Sequence, residues 1–231
     1  MQRFAMASHG EPSKNRGNVV NKQKHSNLSH FPDANFDVVT VAASLGGLKA
    51  LIEIFSALPP NFPAAITVVQ HLHPHHRSQM AEILTRHTPL TVKQAEAGDI
   101  LRPGMIYFAP PNKHLLVDVD GTLIFSESER VNFVRPSADL LFESVAVTFK
   151  ERAIGVVLTG RDGDGAKGVL SINKMGGKVI AQDELSSVSF SMPHSAINTG
   201  SVDFVLPLKQ IASALVSLVM PAAKKKAGRA S

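Results

Sequence analysis

The sequence predicts an α/β domain, with a mostly parallel central sheet and helices on both of its faces. Three apolar runs rich in β-branched residues, Val38–Ala43, Ala64–Gln70 and Ile154–Leu158, have the character of strands that are buried on both faces. Stretches with apolar residues at helical spacing alternate with these runs along the chain. The chain has 231 residues, which is enough for one such domain with a full hydrophobic core.

The first half of the chain has a polar N-terminal segment followed by alternating strands and helices. Residues 1–34 are polar and lack periodicity, so we expect them to be disordered. A helix is predicted after the first strand, because apolar residues recur at helical spacing from Leu48 until Pro59-Pro60 ends the pattern. The remaining predicted elements of this half are a short helix over 80–87 and strands over 105–109, 114–119 and 122–126, with a hairpin turn at Asp120-Gly121.

The second half continues the same alternation. Ser137 is predicted to cap a helix that extends to about Lys150. The strand Ile154–Leu158 runs into the loop GRDGDG, which opens a helix that Gly176-Gly177 closes. The remaining predicted elements are strands over 178–181 and 202–206 and helices over 193–199 and 207–220.

The positive charge of the chain is concentrated at its two ends. The formal net charge is +5, but residues 1–33 carry +3 and residues 221–231 carry +4, which leaves −2 for the body between them. A nucleic-acid-binding domain has its basic residues on the folded body, together with aromatic side chains for stacking, and this chain has no Trp and one Tyr. We therefore predict one folded domain at residues 35–220, a basic disordered tail at 221–231, and no nucleic-acid partner.

Composition also bears on cellular location. The chain contains no cysteine, which excludes disulfides and thiolate metal sites. The N-terminus lacks the apolar core of a secretory signal, and no apolar run approaches the roughly 20 residues that span a bilayer. We therefore expect a cytoplasmic protein without membrane insertion.

Reactive side chains follow the three buried strands at the point where each strand ends. The first strand ends at Ser44, the second ends at His71, and the third enters a loop that contains Asp162 and Asp164. Because the carboxyl ends of parallel strands share one edge of a sheet, these side chains are predicted to converge there. A serine, a histidine and a carboxylate form a nucleophilic triad, in which the histidine removes the serine proton and the carboxylate orients the imidazole.

Other interpretations of these segments stay open on the residues alone. Ala42–Gly46 matches half of the G-x-S-x-G elbow of α/β-hydrolases, and as a phosphate loop it lacks the Lys-Ser/Thr of a P-loop. The histidines within 71–76 suggest a metal site, but no further ligand is evident nearby. The D-G-D-G run from Asp162 resembles a calcium loop that lacks its last Glu. The triad is the best supported of these readings, and it needs no metal or organic cofactor.

Several longer motifs, in order along the chain, resemble a known family. They are AASLGGLKAL, VVQHLHP, EAGDILRPGMIYFAPPNKH, VRPSADLLFESVA, GVVLTGRDGDGAKG and SMPHSAIN. Together they make the region from Val38 to Leu215 similar to the catalytic domain of the bacterial chemotaxis protein-glutamate methylesterases. The resemblance implies a three-layer α/β/α fold and a serine hydrolase that removes methyl groups from receptor glutamyl esters, releasing methanol. For many members it also implies deamidation of receptor glutamines.

The resemblance also implies roles for particular residues. Matched motif by motif, Ser44 corresponds to the nucleophile, His71 to the general base and Asp164 to the triad carboxylate. Asp162 stands where the family usually has glycine, and it is given no triad role. Leu45 and Arg161 depart from the family pattern too, and we expect these changes to affect rate and substrate choice rather than the class of reaction.

The partners that the resemblance implies begin with the substrate, the methylated cytoplasmic domain of a chemoreceptor. The family's phosphorylatable receiver domain is not expected here, because the region before Val38 is too short for one. A separate regulatory protein is therefore an open alternative. The alternatives to an enzyme are a non-catalytic methylesterase-like binding module in chemotaxis-type signalling and, less well supported, a nucleotide-binding α/β domain.

Overall fold

The computed structural model describes residues 29–71 and 79–221. Most of the N-terminal segment that we expect to be disordered lies outside the described residues, as does the predicted basic tail from residue 222. His73, His75 and His76, the further histidines of the possible metal site, also lie outside them. The domain limits at 35 and 220 stay predictions.

A parallel sheet forms the centre of the domain. In chain order the strands are β1 (Val38–Ala43), β2 (Ala65–Gln70), β3 (Thr91–Gln94), β4 (Met105–Phe108), β5 (His114–Val117), β6 (Leu123–Ser126), β7 (Ala153–Val157), β8 (Lys178–Gln182) and β9 (Phe204–Leu206). Seven of them pair in parallel in the order β3-β4-β2-β1-β7-β8-β9, while β5 and β6 form a separate antiparallel hairpin. The three strands β2, β1 and β7 therefore lie side by side in the middle of the sheet, and the α/β fold predicted from the sequence is confirmed.

Helices cover both faces of this sheet. They are α1 (Gly47–Ser56), α2 (Met80–Thr85), α3 (Ala138–Phe149), α4 (Ala166–Lys174), α5 (Ser191–Ile197) and α6 (Leu208–Val219). Helices α1, α2 and α6 contribute to one hydrophobic core, and α3, α4, α5 and the β5–β6 hairpin contribute to the other. The result is three layers. Among the described residues, no helix has the length and apolar character that crossing a bilayer requires.

The middle strands are buried along their whole length because each face packs into a different core. In β1, Val39, Val41 and Ala43 belong to the core beneath α1 and α6, while Val38 and Ala42 belong to the core beneath α3 and α4. This alternation follows from the two-residue period of a strand. Both cores thus fix β1 in one register, and the register determines which residue leaves the sheet first.

Two of the differences between the structure and the sequence prediction have separate physical reasons. The edge strand β3 was not predicted, because its residues Thr91–Gln94 are polar or half exposed and give no buried pattern. Helix α5 was expected to begin at Pro193 but begins at Ser191. A proline fits in the first turn of a helix because the amides there have no partner within the helix.

The edge of the sheet opposite the carboxyl ends of the strands is held by a buried ion pair. Asp37, 1% exposed, accepts two 2.7 Å hydrogen bonds from the guanidinium of Arg152. His30 Nδ1 and the backbone amide of Phe31 also contact this carboxylate. Burial raises the pKa of Asp37, but the hydrogen bonds from Arg152 and His30 outweigh it, so the pKa lies below its ordinary value. The described residues 29–34 are thereby attached to the domain.

Candidate active site

Ser44 is the first residue after β1 and lies in a tight turn that leads into α1. Its backbone amide donates to the carbonyl of Thr159, and its carbonyl accepts from the amide of Gly47. Gly46 has φ +82°, a left-handed conformation that favours glycine. The turn therefore places Ser44 beside the beginning of α1, where backbone amides lack partners within the helix.

The neighbours of Ser44 come from the two strands that flank β1. His71 directly follows β2, and its amide donates to the carbonyl of Ala43 at 3.0 Å. Since Ala43 pairs with Gln70 in the register of β1 and β2, Ser44 and His71 leave the sheet side by side. On the other side lies Gly160, where a Cβ atom would come 2.8 Å from Cβ of Ser44. Only a residue without a side chain fits this closely against Ser44.

The imidazole of His71 and the carboxylate of Asp164 are in direct contact. Nε2 of His71 lies 2.8 Å from Oδ2 of Asp164, and the two side chains are 11% and 0% exposed. Within the described residues, Nδ1 of His71 is buried and has no hydrogen-bond partner. The structure thus joins His71 to Asp164, and it shows no hydrogen bond between either of them and the hydroxyl of Ser44 in the described part of the chain. Nδ1 is the ring nitrogen left to accept a proton.

The carboxylate of Asp164 is also bound to the beginning of α3. Oδ2 accepts from the amide of Ala138 at 2.6 Å, and Oδ1 accepts from the amide of Asp139 at 3.1 Å and from the hydroxyl of Ser137 at 2.8 Å. Burial would raise the pKa of Asp164, but the hydrogen bonds from His71, Ala138 and Ser137 favour the charged form and hold the pKa below its ordinary value. The acid that contacts His71 is therefore kept ionised.

Ser137 occupies the N-cap position that the sequence predicts, but it does not cap the helix with its side chain. Its hydroxyl donates to Asp164 and accepts no amide of α3. The carboxylate of Asp164 takes that place, because it accepts the first two amides of the helix. The sequence pattern identified where α3 begins, but a cap supplied by a residue 27 positions away along the chain gives no local signal.

Asp139 is a polar residue of the site that sequence analysis missed. It is 1% exposed, and its Oδ1 accepts the amides of Gly165 and Gly168, both at 2.9 Å. Burial, followed by the nearby charge of Asp164, raises the pKa of Asp139 despite the bond from Gly168. Acidic residues are common in the first turn of a helix, so Asp139 did not stand out in the sequence as a residue of the site.

The residues that depart from the family pattern lie at the surface around this cluster. Leu45 is 43% exposed, and its carbonyl accepts a 2.9 Å bond from the hydroxyl of Thr159. Arg161 and Asp162 are both exposed, and no ion pair joins them among the described residues. The carbonyl of Asp162 accepts from Ser191, which fixes the outer part of the loop that carries Asp164. Asp162 is thus bound through its backbone.

A cavity of about 490 Å³ opens at Ser44 between α1 and α2. Among the described residues, its wall includes Leu48, Ile52 and Met80 as apolar side chains and Gln70 as a polar one. The amide nitrogen of Gln70 donates to the carbonyl of Ser44 at 2.8 Å. The cavity is large enough for a side chain that approaches the hydroxyl of Ser44.

The comparison with protein-family models gives one match that covers most of the domain. The model described as CheB methylesterase matches residues 39–215, which contain Ser44, His71 and Asp164. The chain belongs to the CheB methylesterase family. The expected enzyme class, a protein-glutamate methylesterase, is thereby confirmed together with the resemblance on which it rested.

Named relatives agree with this membership. A protein of Leptospira interrogans described as a putative protein-glutamate methylesterase/protein-glutamine glutaminase is 40% identical over 184 residues, which are 80% of this chain and 95% of that protein. The protein-glutamate methylesterase FrzG of Myxococcus xanthus is 40% identical over 188 residues, which are 81% of this chain and 56% of FrzG. The chain thus spans nearly all of the first relative and about half of the second.

A solved structure shows the same fold. The catalytic domain of the CheB methylesterase of Thermotoga maritima superposes with a TM-score of 0.76 and 39% sequence identity, covering 79% of this chain and 98% of that domain. The α/β architecture with helices on both faces of the sheet is therefore the architecture of this CheB methylesterase domain. The described residues contain no group of three or more His, Cys, Asp or Glu side chains placed to hold a metal ion.

Proposed function

We propose that this CheB methylesterase domain hydrolyses the methyl esters of glutamate side chains in a protein substrate and releases methanol, with Ser44, His71 and Asp164 as its triad. The 2.8 Å contact between His71 and Asp164, beside Ser44 at the carboxyl edge of the sheet, is the observation that carries the proposal. Membership of the family supplies the class of reaction.

The first half of the reaction forms an acyl-enzyme. The hydroxyl oxygen of Ser44 attacks the ester carbonyl carbon, while a nitrogen of His71 takes up the hydroxyl proton. That nitrogen is Nδ1, because Nε2 is bonded to Asp164. As the tetrahedral intermediate collapses, His71 returns the proton to the leaving methoxide oxygen, and methanol departs. The assignment of nitrogens is the reverse of the chymotrypsin arrangement, in which Nε2 faces the serine.

The second half releases the glutamate product. Water attacks the acyl-enzyme carbonyl as Nδ1 of His71 accepts its proton, and the same proton then returns to the oxygen of Ser44. Asp164 keeps its negative charge throughout, since its lowered pKa favours the ionised form. A buried, ionised carboxylate stabilises the imidazolium that forms twice in each turnover.

The developing negative charge on the substrate carbonyl needs hydrogen-bond donors. The beginning of α1, which directly follows the turn of Ser44, offers backbone amides with positive polarity. Gly46 and Gly47 allow close packing there, because a Cβ atom at Gly46 would come 2.7 Å from Cβ of Val188 and one at Gly47 would come 2.1 Å from Oε1 of Gln70. Donors of this kind account for about 3–4 kcal/mol of transition-state stabilisation in other serine hydrolases.

The substrate we propose is the methylated cytoplasmic region of a chemoreceptor, so the chain would act in the cytoplasm. The relatives from Moorella thermoacetica and Thermotoga maritima carry the double description protein-glutamate methylesterase/protein-glutamine glutaminase. Deamidation of a glutamine uses the same acyl-enzyme, with ammonia as the leaving group in place of methanol. We therefore propose glutamine deamidation as a second reaction of the same triad. Our proposal also includes a separate protein that regulates access to the site.

The proposal is tested by measuring labelled methanol released from a methylated chemoreceptor fragment. Ser44→Ala should abolish the release and leave the circular dichroism and melting temperature unchanged, because the hydroxyl makes no hydrogen bond among the described residues. A fluorophosphonate probe should label the wild-type chain at Ser44 and should not label the variant. Unchanged methanol release by Ser44→Ala would refute the triad, and a wild-type chain that neither labels nor releases methanol would favour the binding module instead.

A further inference from the structure

Two buried carboxylates, on Asp139 in the first turn of α3 and on Asp164 just before α4, each accept backbone amides at the beginning of the helix next to the other acid. Asp139 is in the first turn of α3 and accepts the amides of Gly165 and Gly168 at the beginning of α4. Asp164 precedes α4 and accepts the amides of Ala138 and Asp139 at the beginning of α3. The two acids therefore form reciprocal hydrogen bonds, each with the beginning of the helix next to the other acid.

One of these hydrogen bonds holds the peptide group that directly follows Asp164. The amide of Gly165 belongs to the peptide group that directly follows Asp164, and Asp139 holds that amide at 2.9 Å. Gly165 has φ +99°, which is a left-handed conformation open mainly to glycine. The carboxylate of Asp139 is the acceptor of this amide, so it helps to fix the peptide group next to Asp164 in that conformation.

We propose that Asp139 is a positioning residue for the proposed triad, which orients the carboxylate of Asp164 toward Nε2 of His71 without contacting the substrate. This inference rests on the proposed function. Asp139 acts through the peptide that follows Asp164, and its own backbone amide completes the contact by donating to Oδ1 of Asp164 at 3.1 Å. Each acid thus determines the orientation of the other.

The pKa values of the two acids are shifted in opposite directions, and this difference gives the two acids different roles. Hydrogen bonds from His71 and from α3 keep Asp164 ionised against the effect of burial. Burial and the charge of Asp164 make Asp139 the easier of the two to protonate. Asp139 thus serves as an acceptor of amides, and the amide oxygen of an asparagine can do this equally well. Asp164 serves as the ionised partner of the imidazole.

The test compares a variant of Asp139 that loses the negative charge with variants that also lose the hydrogen-bond acceptor. Asp139→Asn keeps an oxygen for the amides of Gly165 and Gly168, and it loses the 3.3 Å bond from Asn132. Asp139→Ala removes the acceptor. Asp139→Ser, a good residue for the first turn of a helix, is the alternative if the alanine variant does not fold, since its hydroxyl is too short to reach both amides. Val169→Ala, a buried truncation in α4, is the control for lost stability.

The expected kinetic result is a fall in kcat without a change in KM. Misplacing a reacting group by about 1 Å costs up to about 100-fold in rate, so Asp139→Ala and Asp139→Ser should lose about 10–100-fold in kcat. Asp139→Asn should stay within about 3-fold of wild type, which is the spread expected for one weakened hydrogen bond. Val169→Ala should keep its kcat when rates are divided by the concentration of sites that a fluorophosphonate probe labels.

A second readout does not depend on turnover. The proton on Nε2 of His71, bonded to Asp164, should give a separate downfield imidazole N–H resonance in ¹⁵N-histidine-labelled protein. We expect that resonance in wild type and Asp139→Asn, and its loss or displacement in Asp139→Ala or Asp139→Ser. An unchanged resonance together with wild-type kcat in the alanine or serine variant would overturn the inference. If wild type shows the resonance but releases no methanol, the proposed function fails while the positioning role is still decided by the resonance.

Discussion

Asp164 contacts Nε2 of His71 at 2.8 Å, which leaves Nδ1 as the nitrogen of this ring that can accept a proton. The same carboxylate accepts two amides of α3, so a helix end and an imidazole share one acid. The position of α3 and the orientation of His71 are therefore coupled. Changes to this carboxylate should affect chemistry and stability together.

The first prediction concerns Asp164→Asn. The asparagine can present its oxygen either to His71 and the amide of Ala138, which share Oδ2, or to the amide of Asp139 at Oδ1, and its NH₂ group then opposes a donor at the other position. We expect kcat to fall about 10⁴-fold, as for loss of a triad carboxylate, and the free energy of unfolding to fall by about 1–3 kcal/mol. Steady-state methanol release and urea denaturation measure the two effects. Asp162→Asn, exposed and two residues earlier, should change neither, and equal losses in both variants would contradict the assignment.

The second prediction concerns the close contact between Gly160 and Ser44. In Gly160→Ala the new methyl group would lie 2.8 Å from Cβ of Ser44 and 2.1 Å from Sδ of Met192. The flexible methionine can move, but the serine lies in a tight turn, so we expect labelling by a fluorophosphonate probe to slow by about 10–100-fold.

Gly163→Ala is the matched control for this prediction, because it lies in the same loop. Its new methyl group would meet only Ser195, at 3.4 Å and beyond. Its labelling rate should equal that of wild type. If Gly160→Ala labels as fast as Gly163→Ala, Ser44 is not held by this contact.

The third prediction concerns Arg152 at the opposite edge of the sheet. Arg152→Met leaves the carboxylate of Asp37 buried without its main partner, which should cost about 3 kcal/mol in the free energy of unfolding. Lys178→Ala, which removes a more exposed partner of Asp203, should cost less than about 1 kcal/mol. Urea denaturation measures both. Methanol release at a temperature where both variants are folded should be unchanged, since Arg152 is remote from Ser44, and a loss of release would contradict that.

The cost of Arg152→Met should also depend on pH. The pKa of Asp37 is lowered in the folded chain, so its ionised form contributes stability above its ordinary pKa, and this contribution is lost as the pH falls through the lowered value. Without the guanidinium, burial would raise that pKa instead. The difference in unfolding free energy between wild type and variant should therefore be largest near neutral pH and shrink in acid. A constant difference would show that the charge of Asp37 is not involved.

The fourth prediction concerns Asp139, whose pKa is raised by burial and then by the charge of Asp164. The folded chain holds the proton of this carboxyl to higher pH than the unfolded chain does. Its contribution to stability therefore falls as the pH rises from the ordinary pKa through the raised one. Asp139→Asn has no such proton, so its unfolding free energy relative to wild type should increase over that interval. A relative stability that decreases or stays level would mean that Asp139 ionises without penalty.

The sequence was sufficient for the parts of the fold in which a buried pattern is continuous. β1 has the predicted bounds Val38–Ala43, because both of its faces enter a core and every residue is apolar or small. The structure also places Ser44, His71 and the loop of Asp164 at one edge, as strand order requires. The polar edge strand β3 was missed because edge pairing needs no buried side chains.

The finer features of the site depend on contacts between distant parts of the chain. Asp139 and Asp164 are 25 residues apart, and neither gives a local sign that it binds the other's helix. Which nitrogen of His71 meets Asp164 depends on the placement of the loop after β7 relative to β2. A sequence pattern records periodicity over a few residues, so it identifies the residue types of this site but not the hydrogen bonds between them.

The central position of β2, β1 and β7 determines how the domain can open locally. Ser44, His71 and Asp164 all follow these three strands, while β3 and β9 form the sheet borders. We expect amides at such borders to exchange through local opening, and amides of the central strands to exchange through opening that approaches global unfolding. The three residues of the proposed triad thus follow the central strands, and we expect sequence changes near β3 and β9 to leave their relative positions unchanged.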